Sequence, residues 1–368
     1  MATVAGKRMG RTAVECSVRS APCGRGARQK YGRATLPEMK MGRNHRPTCC
    51  LVVLSALALL PLVVQAQRAT LRERLLQRHA DAMMAGTRGP VTLPPDTRVV
   101  RDVAYGSDPR QRFDVYVPDH AQQAPVIFMV HGGGWRRGDK GAHGVVQNKI
   151  DRWLPRGFVA ISVNYRMRPD TAPLDQARDV ARALARAQQQ AGQWGVDANA
   201  FILMGHSAGA HLVALLAADP ALAREQGARP WLGTIALDSA ALDVVQIMQG
   251  RHPRLYDEAF GAQPSDWLEA SPLQQMSGRM VPFLAVCSSQ RRQSCARAHA
   301  FVRKAKSFGG EALVLEEDLA HGQINAELGQ APDYTDAVER FMGSLAPAVA
   351  RRLGPAQERT VLLSSPGR

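Results

Sequence analysis

Apolar residues in this chain gather into short unbroken runs between longer mixed stretches. Residues 126–130 form a continuous apolar run of five, and residues 158–163 form a similar stretch interrupted only by Ser162. Runs of this length suit strands covered on both faces by helices, which is the environment of a parallel sheet. Further strand-like runs fall at 201–204, 234–237, 283–286 and 312–315, and residues 174–190 and 208–218 read as helices between them. Alternation of strand and helix predicts one doubly wound α/β domain with a mostly parallel central sheet flanked by helices. Ahead of it, residues 99–105 and 113–117 are β-rich and are separated by Gly106-Ser107-Asp108-Pro109. That turn chemistry predicts an opening antiparallel hairpin. No internal repeat is present.

The N-terminal region follows a different pattern. Residues 1–40 are rich in Arg, Gly and Ser without apolar periodicity, so they read as a disordered or mis-assigned prefix. From Met41 the order changes to a basic stretch with Arg43, His45 and Arg46, an apolar run at 49–64, and Val64-Gln65-Ala66 as a small-residue cleavage site. This is the order of a secretory signal over 41–66, and it leads us to expect a periplasmic or secreted protein. The apolar run is too short for a span of roughly 20 residues and contains Pro61, so no stable membrane span is expected after cleavage. Residues 67–98 then read as an N-terminal helix and linker, 99–350 as the α/β domain, and 351–368 as a disordered tail.

Composition adds one qualification. The 368 residues carry a formal charge of +15, which raises nucleic acid as a partner. Residues 1–48, however, hold eleven basic and two acidic side chains, nine of the fifteen excess charges. No basic stripe with interleaved aromatics follows, so no nucleic-acid partner is expected. Four of the six cysteines, Cys16, Cys23, Cys49 and Cys50, fall before the cleavage site. Cys287 and Cys295 alone remain in the mature chain, and two cysteines in an exported protein are expected to pair.

Candidate chemistry sits at the ends of the strand-like runs. Strand 201–204 leads into Gly205-His206-Ser207-Ala208-Gly209, a Gly-x-Ser-x-Gly pattern, and then into a helix. Strand, sharp turn and helix in that order lift a serine above the strand ends, with glycines removing Cβ atoms that would clash. Ser207 is therefore the expected nucleophile. His131-Gly132-Gly133-Gly134-Trp135 follows strand 126–130. Its glycines let backbone N–H groups approach a substrate oxygen, so Gly133, Gly134 and Ala208 are the expected oxyanion donors. A serine also needs a base. His211 and His299 read as helix residues and His252 lies in a polar insert, whereas His321 follows the last strand in a loop from which it can reach the elbow. His321 is the expected base.

These motifs, with Tyr105-Gly106, the 113–118 stretch, Asn164-Tyr165-Arg166 and Gly195-Val196-Asp197, resemble the α/β-hydrolase superfamily over roughly residues 99–342. The resemblance is to its esterase and lipase branch, which includes hormone-sensitive-lipase-like carboxylesterases, arylformamidases and bacterial feruloyl or acetyl-xylan esterases. It implies an α/β-hydrolase fold, a small-molecule ester substrate, cleavage through an acyl-enzyme, and neither metal nor organic cofactor. It sets neither acyl specificity nor oligomeric state, and it leaves an arylformamidase-type amide hydrolase or a non-catalytic binding relative as alternatives. One departure stands out. In this branch the triad acid usually follows the strand that here reads 283–286, and the window from Cys287 to Cys295 holds no acid. Asp238, which ends the neighbouring strand, is the first substitute, although it could equally cap the strand end. Asp243 comes second, and Asp318 lies too close in sequence to His321 to orient it.

Overall fold

Period-2 alternation divides each continuous apolar run between two cores. In a computed structural model, which describes residues 90–354, Val126, Phe128 and Val130 face one apolar cluster while Ile127 and Met129 face the other. The same division recurs at Phe201 and Leu203 against Ile202 and Met204. Both faces of the sheet are therefore covered, and the sequence shows runs rather than alternation.

The strands are β1 (Thr97–Ala104), β2 (Arg112–Pro118), β3 (Ala124–Val130), β4 (Val159–Val163), β5 (Val196–His206), β6 (Gly233–Leu237), β7 (Phe283–Ser288) and β8 (Ala312–Glu317). They form one sheet in the order β1-β2-β4-β3-β5-β6-β7-β8. β1 pairs antiparallel with β2, and β2 with β4; from β4 onward neighbours run parallel. This is the expected α/β-hydrolase arrangement, opening hairpin included. Helices α2 (Pro173–Gln190), α3 (Ala208–Ala218) and α4 (Arg292–Ser307) cover one face, and α1 (His143–Trp153) and α5 (Pro332–Leu345) the other. Between β6 and β7 the chain makes four short helices, Val244–Gln249, Arg254–Phe260, Pro264–Glu269 and Pro272–Gln275.

Several expectations need correction. Helix Pro347–Leu353 continues past the expected start of a disordered tail at 351, and Arg352 donates to the carbonyls of Gly157 (2.8 Å) and Gln122 (2.6 Å). Those bonds hold its last turn against the domain. The last strand extends through Glu317, two residues into the expected loop, and His321 opens a short helix, His321–Ala326, instead of lying in that loop. The prefix 1–40, the signal 41–66 and the helix expected after it lie outside the described residues. Among those described, no helix is long and apolar enough to cross a membrane.

Candidate active site

Parallel strands end together, so the loops after β3, β5, β6, β7 and β8 meet at one edge of the sheet, which is where crevices form in open α/β folds. The sharpest of these turns follows β5. Ser207 sits there at φ 55° and ψ −115°, a conformation that L-residues rarely adopt, and its N–H donates to the Leu237 carbonyl at 2.9 Å. Both elbow glycines are sterically required. A Cβ on Gly205 would stand 2.3 Å from the Gly209 carbonyl oxygen, and one on Gly209 would stand 2.1 Å from the carbonyl oxygen of Val130.

His321 meets this serine from the first position of helix His321–Ala326, with Nε2 3.0 Å from Ser207 Oγ. On the other side of the ring, Nδ1 lies 2.6 Å from Oδ2 of Asp238, the residue that ends β6. The three expected residues are thus brought into one chain. Asp243 instead caps helix Val244–Gln249 by accepting from the Gln246 N–H, and Asp318 faces Ser289 and Gln290. In chemical terms the serine's proton has a ring nitrogen within reach, and a fully buried carboxylate stands behind that ring.

The carboxylate is held by the very segment that lacks an acid. Leu237 pairs with Val286, so the end of β6 lies beside the end of β7. Asp238 Oδ1 accepts from the Ser288 N–H at 3.2 Å and from Ser294 Oγ at 2.6 Å, and Oδ2 accepts from Arg291 Nη1 at 2.6 Å. Burial alone would push the Asp238 carboxyl up. The Arg291 charge beside it and the hydrogen bonds from His321 and Ser294 outweigh burial and hold it well below the usual carboxylate range. Cys287 and Cys295 bracket these donors and are joined, with Cα atoms 5.2 Å apart. Cys295 lies in the first turn of α4, so the bracketed segment is strand end, tight turn and helix start.

Sequence reasoning missed Ser288, Arg291 and Ser294. The available signal was an acid-free window rich in hydroxyl and basic groups, which suits a segment that donates to a neighbour's carboxylate. It also missed the scaffolding of His321. His206, the variable residue of the elbow, lies 2.8 Å through Nε2 from the His321 carbonyl, which can only accept, and its ring lies 4.6 Å from the His321 ring. From α1, Lys149 Nζ donates to the Asn325 carbonyl at 2.6 Å and Asn148 donates to that of Ala326, fixing the C-terminal end of the helix that His321 opens. Burial pushes the Lys149 ammonium down to about 7.

The glycine loop borders the same crevice: Gly133, Gly134, Ser207, His321, Leu255 and Tyr256 line it together. Gly133 (φ 119°) and Gly134 (φ 61°) both adopt left-handed backbone, and a Cβ on Gly133 would stand 2.0 Å from the Arg137 carbonyl oxygen. Trp135, at φ 60°, packs between His211 and Phe260 of the insert, with ring centroids 5.5 Å and 4.9 Å away. Its Nε1–H donates to His211 Nδ1 at 3.2 Å, while His211 Nε2 donates to the Ala270 carbonyl at 2.7 Å. His211, set aside as a base from sequence, thus ties the loop to the insert as a neutral ring.

Burial pushes His211 down to about 4, and burial pushes His206 and His131 down as well. An unfolded histidine takes its proton near about 6.5, so between those values the unfolded chain binds more protons than the folded one. Stability should be full above about pH 6.5 and should fall as the pH drops towards 4. Thermal denaturation at stepped pH should show a falling melting temperature over that window, with a shallower fall in His211→Gln. An identical slope in the variant would remove His211 from the account.

The chain is similar to known proteins in sequence and in fold. A family model described as BD-FAE matches residues 113–229. A probable isoprenylcysteine alpha-carbonyl methylesterase of Oryza sativa subsp. japonica is 34% identical over 131 residues, 35% of this chain and 31% of that protein. A probable carboxylic ester hydrolase, LipM, of Mycobacterium tuberculosis is 28% identical over 247 residues, 60% of this chain and 55% of its own. This chain therefore spans about a third to a half of the length of these curated relatives. Among solved structures, esterase B of Lactobacillus Rhamnosis superposes with a TM-score of 0.61 at 18% identity, covering 78% of this chain and 96% of that one. An esterase of Thermogutta terrifontis does so at 0.56 and 20% identity, covering 69% and 95%. These superpositions establish the fold.

Proposed function

We propose that this chain, which has the α/β-hydrolase fold and resembles the esterase and lipase branch of that superfamily, is a serine esterase that cleaves a carboxylic ester through an acyl-enzyme on Ser207. The observation that carries this reading is the chain of contacts from Ser207 Oγ through the His321 ring to Asp238. Ser207 Oγ bonds to the ester carbonyl carbon as its proton passes to His321 Nε2, and Asp238 stabilises the imidazolium so formed. The carbonyl oxygen, now an oxyanion, is held by the N–H groups of Gly133, Gly134 and Ala208. The bond to the alcohol oxygen then breaks, and His321 returns the proton to that departing oxygen. Water repeats the sequence on the acyl-enzyme, giving up a proton to Nε2, releasing the acid and restoring Ser207.

Support for export is separate: the basic, apolar and small-residue order of 41–66, together with a disulfide in the folded domain. A panel of 4-nitrophenyl esters from acetate to palmitate, run with one anilide, tests the reaction class. At least one ester should turn over faster than the anilide. A faster anilide would favour the arylformamidase-type alternative, and inertness towards the whole panel would leave a binding protein.

A further inference from the structure

Residues 288–294, enclosed by the Cys287–Cys295 bond, touch both residues that stand behind Ser207, Asp238 and His321. Among the described residues, every hydrogen-bond donor to the Asp238 carboxylate other than His321 lies in this segment: the Ser288 N–H, Arg291 Nη1 and Ser294 Oγ. The segment also holds the approach to His321. Ser288 Oγ donates to the Leu319 carbonyl at 2.6 Å, and the Ser289 N–H donates to that of Glu317 at 2.9 Å.

The sequence of the segment does little to keep it in place. At its strand end Cys287 is buried and pairs with Glu316 of β8, so that side is anchored by the sheet. The helix end is weaker. Arginine stands at the N-cap of α4, where Ser, Thr, Asp or Asn is preferred; Arg292 follows at the first helical position, and the first turn carries no acid. Positive side chains there oppose the positive end of the helix, and a start of that composition tends to fray. Ser294, whose hydroxyl donates to Asp238, lies in that turn, and so does Cys295. The disulfide therefore ties an uncertain helix start to a firm strand end, with Cα atoms 5.2 Å apart. What depends on the tie is the charge on Asp238. Burial pushes its carboxyl up, and the donors of this segment, with His321, reverse that.

We propose that the Cys287–Cys295 disulfide is a positioning element of the catalytic site. It holds Ser288, Arg291 and Ser294 against Asp238, and through Asp238 it holds His321, so that cleaving it with a dithiol lowers turnover while the domain stays folded. In that cleavage the S–S bond breaks, each cysteine sulfur gains one hydrogen, and the dithiol leaves as its own cyclic disulfide. The ring closed by the bond is short, with a sequence separation of 8, so it restricts the unfolded chain less than a long one would. Its loss should cost the local geometry more than the whole fold. The inference rests on the esterase reading and adds to it a redox dependence of the same site.

The test compares the oxidised wild type, the wild type reduced with dithiothreitol and checked by mass for the two added hydrogens, and Cys287→Ala/Cys295→Ala. The double variant supplies the same loss where burial of the bond slows its reduction. On the best ester of the panel, both altered forms should lose about tenfold or more in kcat, with a far smaller change in KM, because a loosened acid partner forfeits part of what its complete removal would. Both should still melt above the assay temperature. Reoxidation should restore the wild type, and dithiothreitol should leave the double variant unchanged. A reduced wild type or a folded double variant with kcat within about twofold of the oxidised enzyme would overturn the inference and leave the esterase reading intact. So would a loss of kcat that appears only together with unfolding, as the removal of a merely structural bond would give. Inertness of the oxidised wild type towards the whole ester panel would instead sink the esterase reading, and this inference with it.

Discussion

Ser207→Ala should lower kcat by about six orders of magnitude while leaving the melting temperature within a degree or two of the wild type. The size follows from what is removed. Without Oγ there is no acyl-enzyme, and His321 and the glycine loop can assist only the direct attack of water. The small effect on stability follows from placement. The serine side chain stands at the crevice, where the hydrogen bond it loses is the one to His321 Nε2, and the elbow is held by the Ser207 backbone N–H to Leu237, which alanine keeps. Turnover above that residual level in a preparation free of contaminating esterases would transfer the nucleophile's role to another group.

Asp238→Asn should lower kcat by about four orders of magnitude with a far smaller change in KM. The carboxylate is wholly buried, so it touches the ring and its own donors rather than the substrate. An amide in its place either offers an N–H to His321 Nδ1, locking the proton onto Nε2, or turns an N–H towards Ser294 Oγ and the Ser288 N–H. In both cases the negative charge that offsets the imidazolium is gone. Arg291 also loses its ion pair, which adds a stability cost, so the variant's melting temperature must be measured alongside its kinetics. A loss of less than about tenfold in kcat would show that His321 works without a carboxylate partner.

How much of this was legible beforehand differs by element. β3, β6 and β7 were readable because burial on both faces forces unbroken apolar runs, and Ser207 was readable because neighbouring backbone excludes a Cβ at Gly205 and Gly209. Helix α1 was not, since its buried positions include Gln147 and Lys149 among Val145, Val146, Ile150 and Trp153, which blurs the apolar stripe. The insert between β6 and β7 was read only as polar, because helices of four to seven residues are too short to display a 3.6-residue period. The role of Arg291 was hidden for a different reason. It depends on Asp238 and the window after β7 being neighbours across a parallel pair, a contact 53 residues apart in sequence that no local pattern encodes.

The central claim, that Ser207 is a nucleophile activated by His321, is tested most directly by reaction with a fluorophosphonate followed by peptide mapping. The wild type should take up one phosphonyl group per chain, on Ser207, and lose its esterase activity in step with that uptake, while His321→Ala should label far more slowly. Full labelling elsewhere, or complete loss of activity with Ser207 unmodified, would contradict the account.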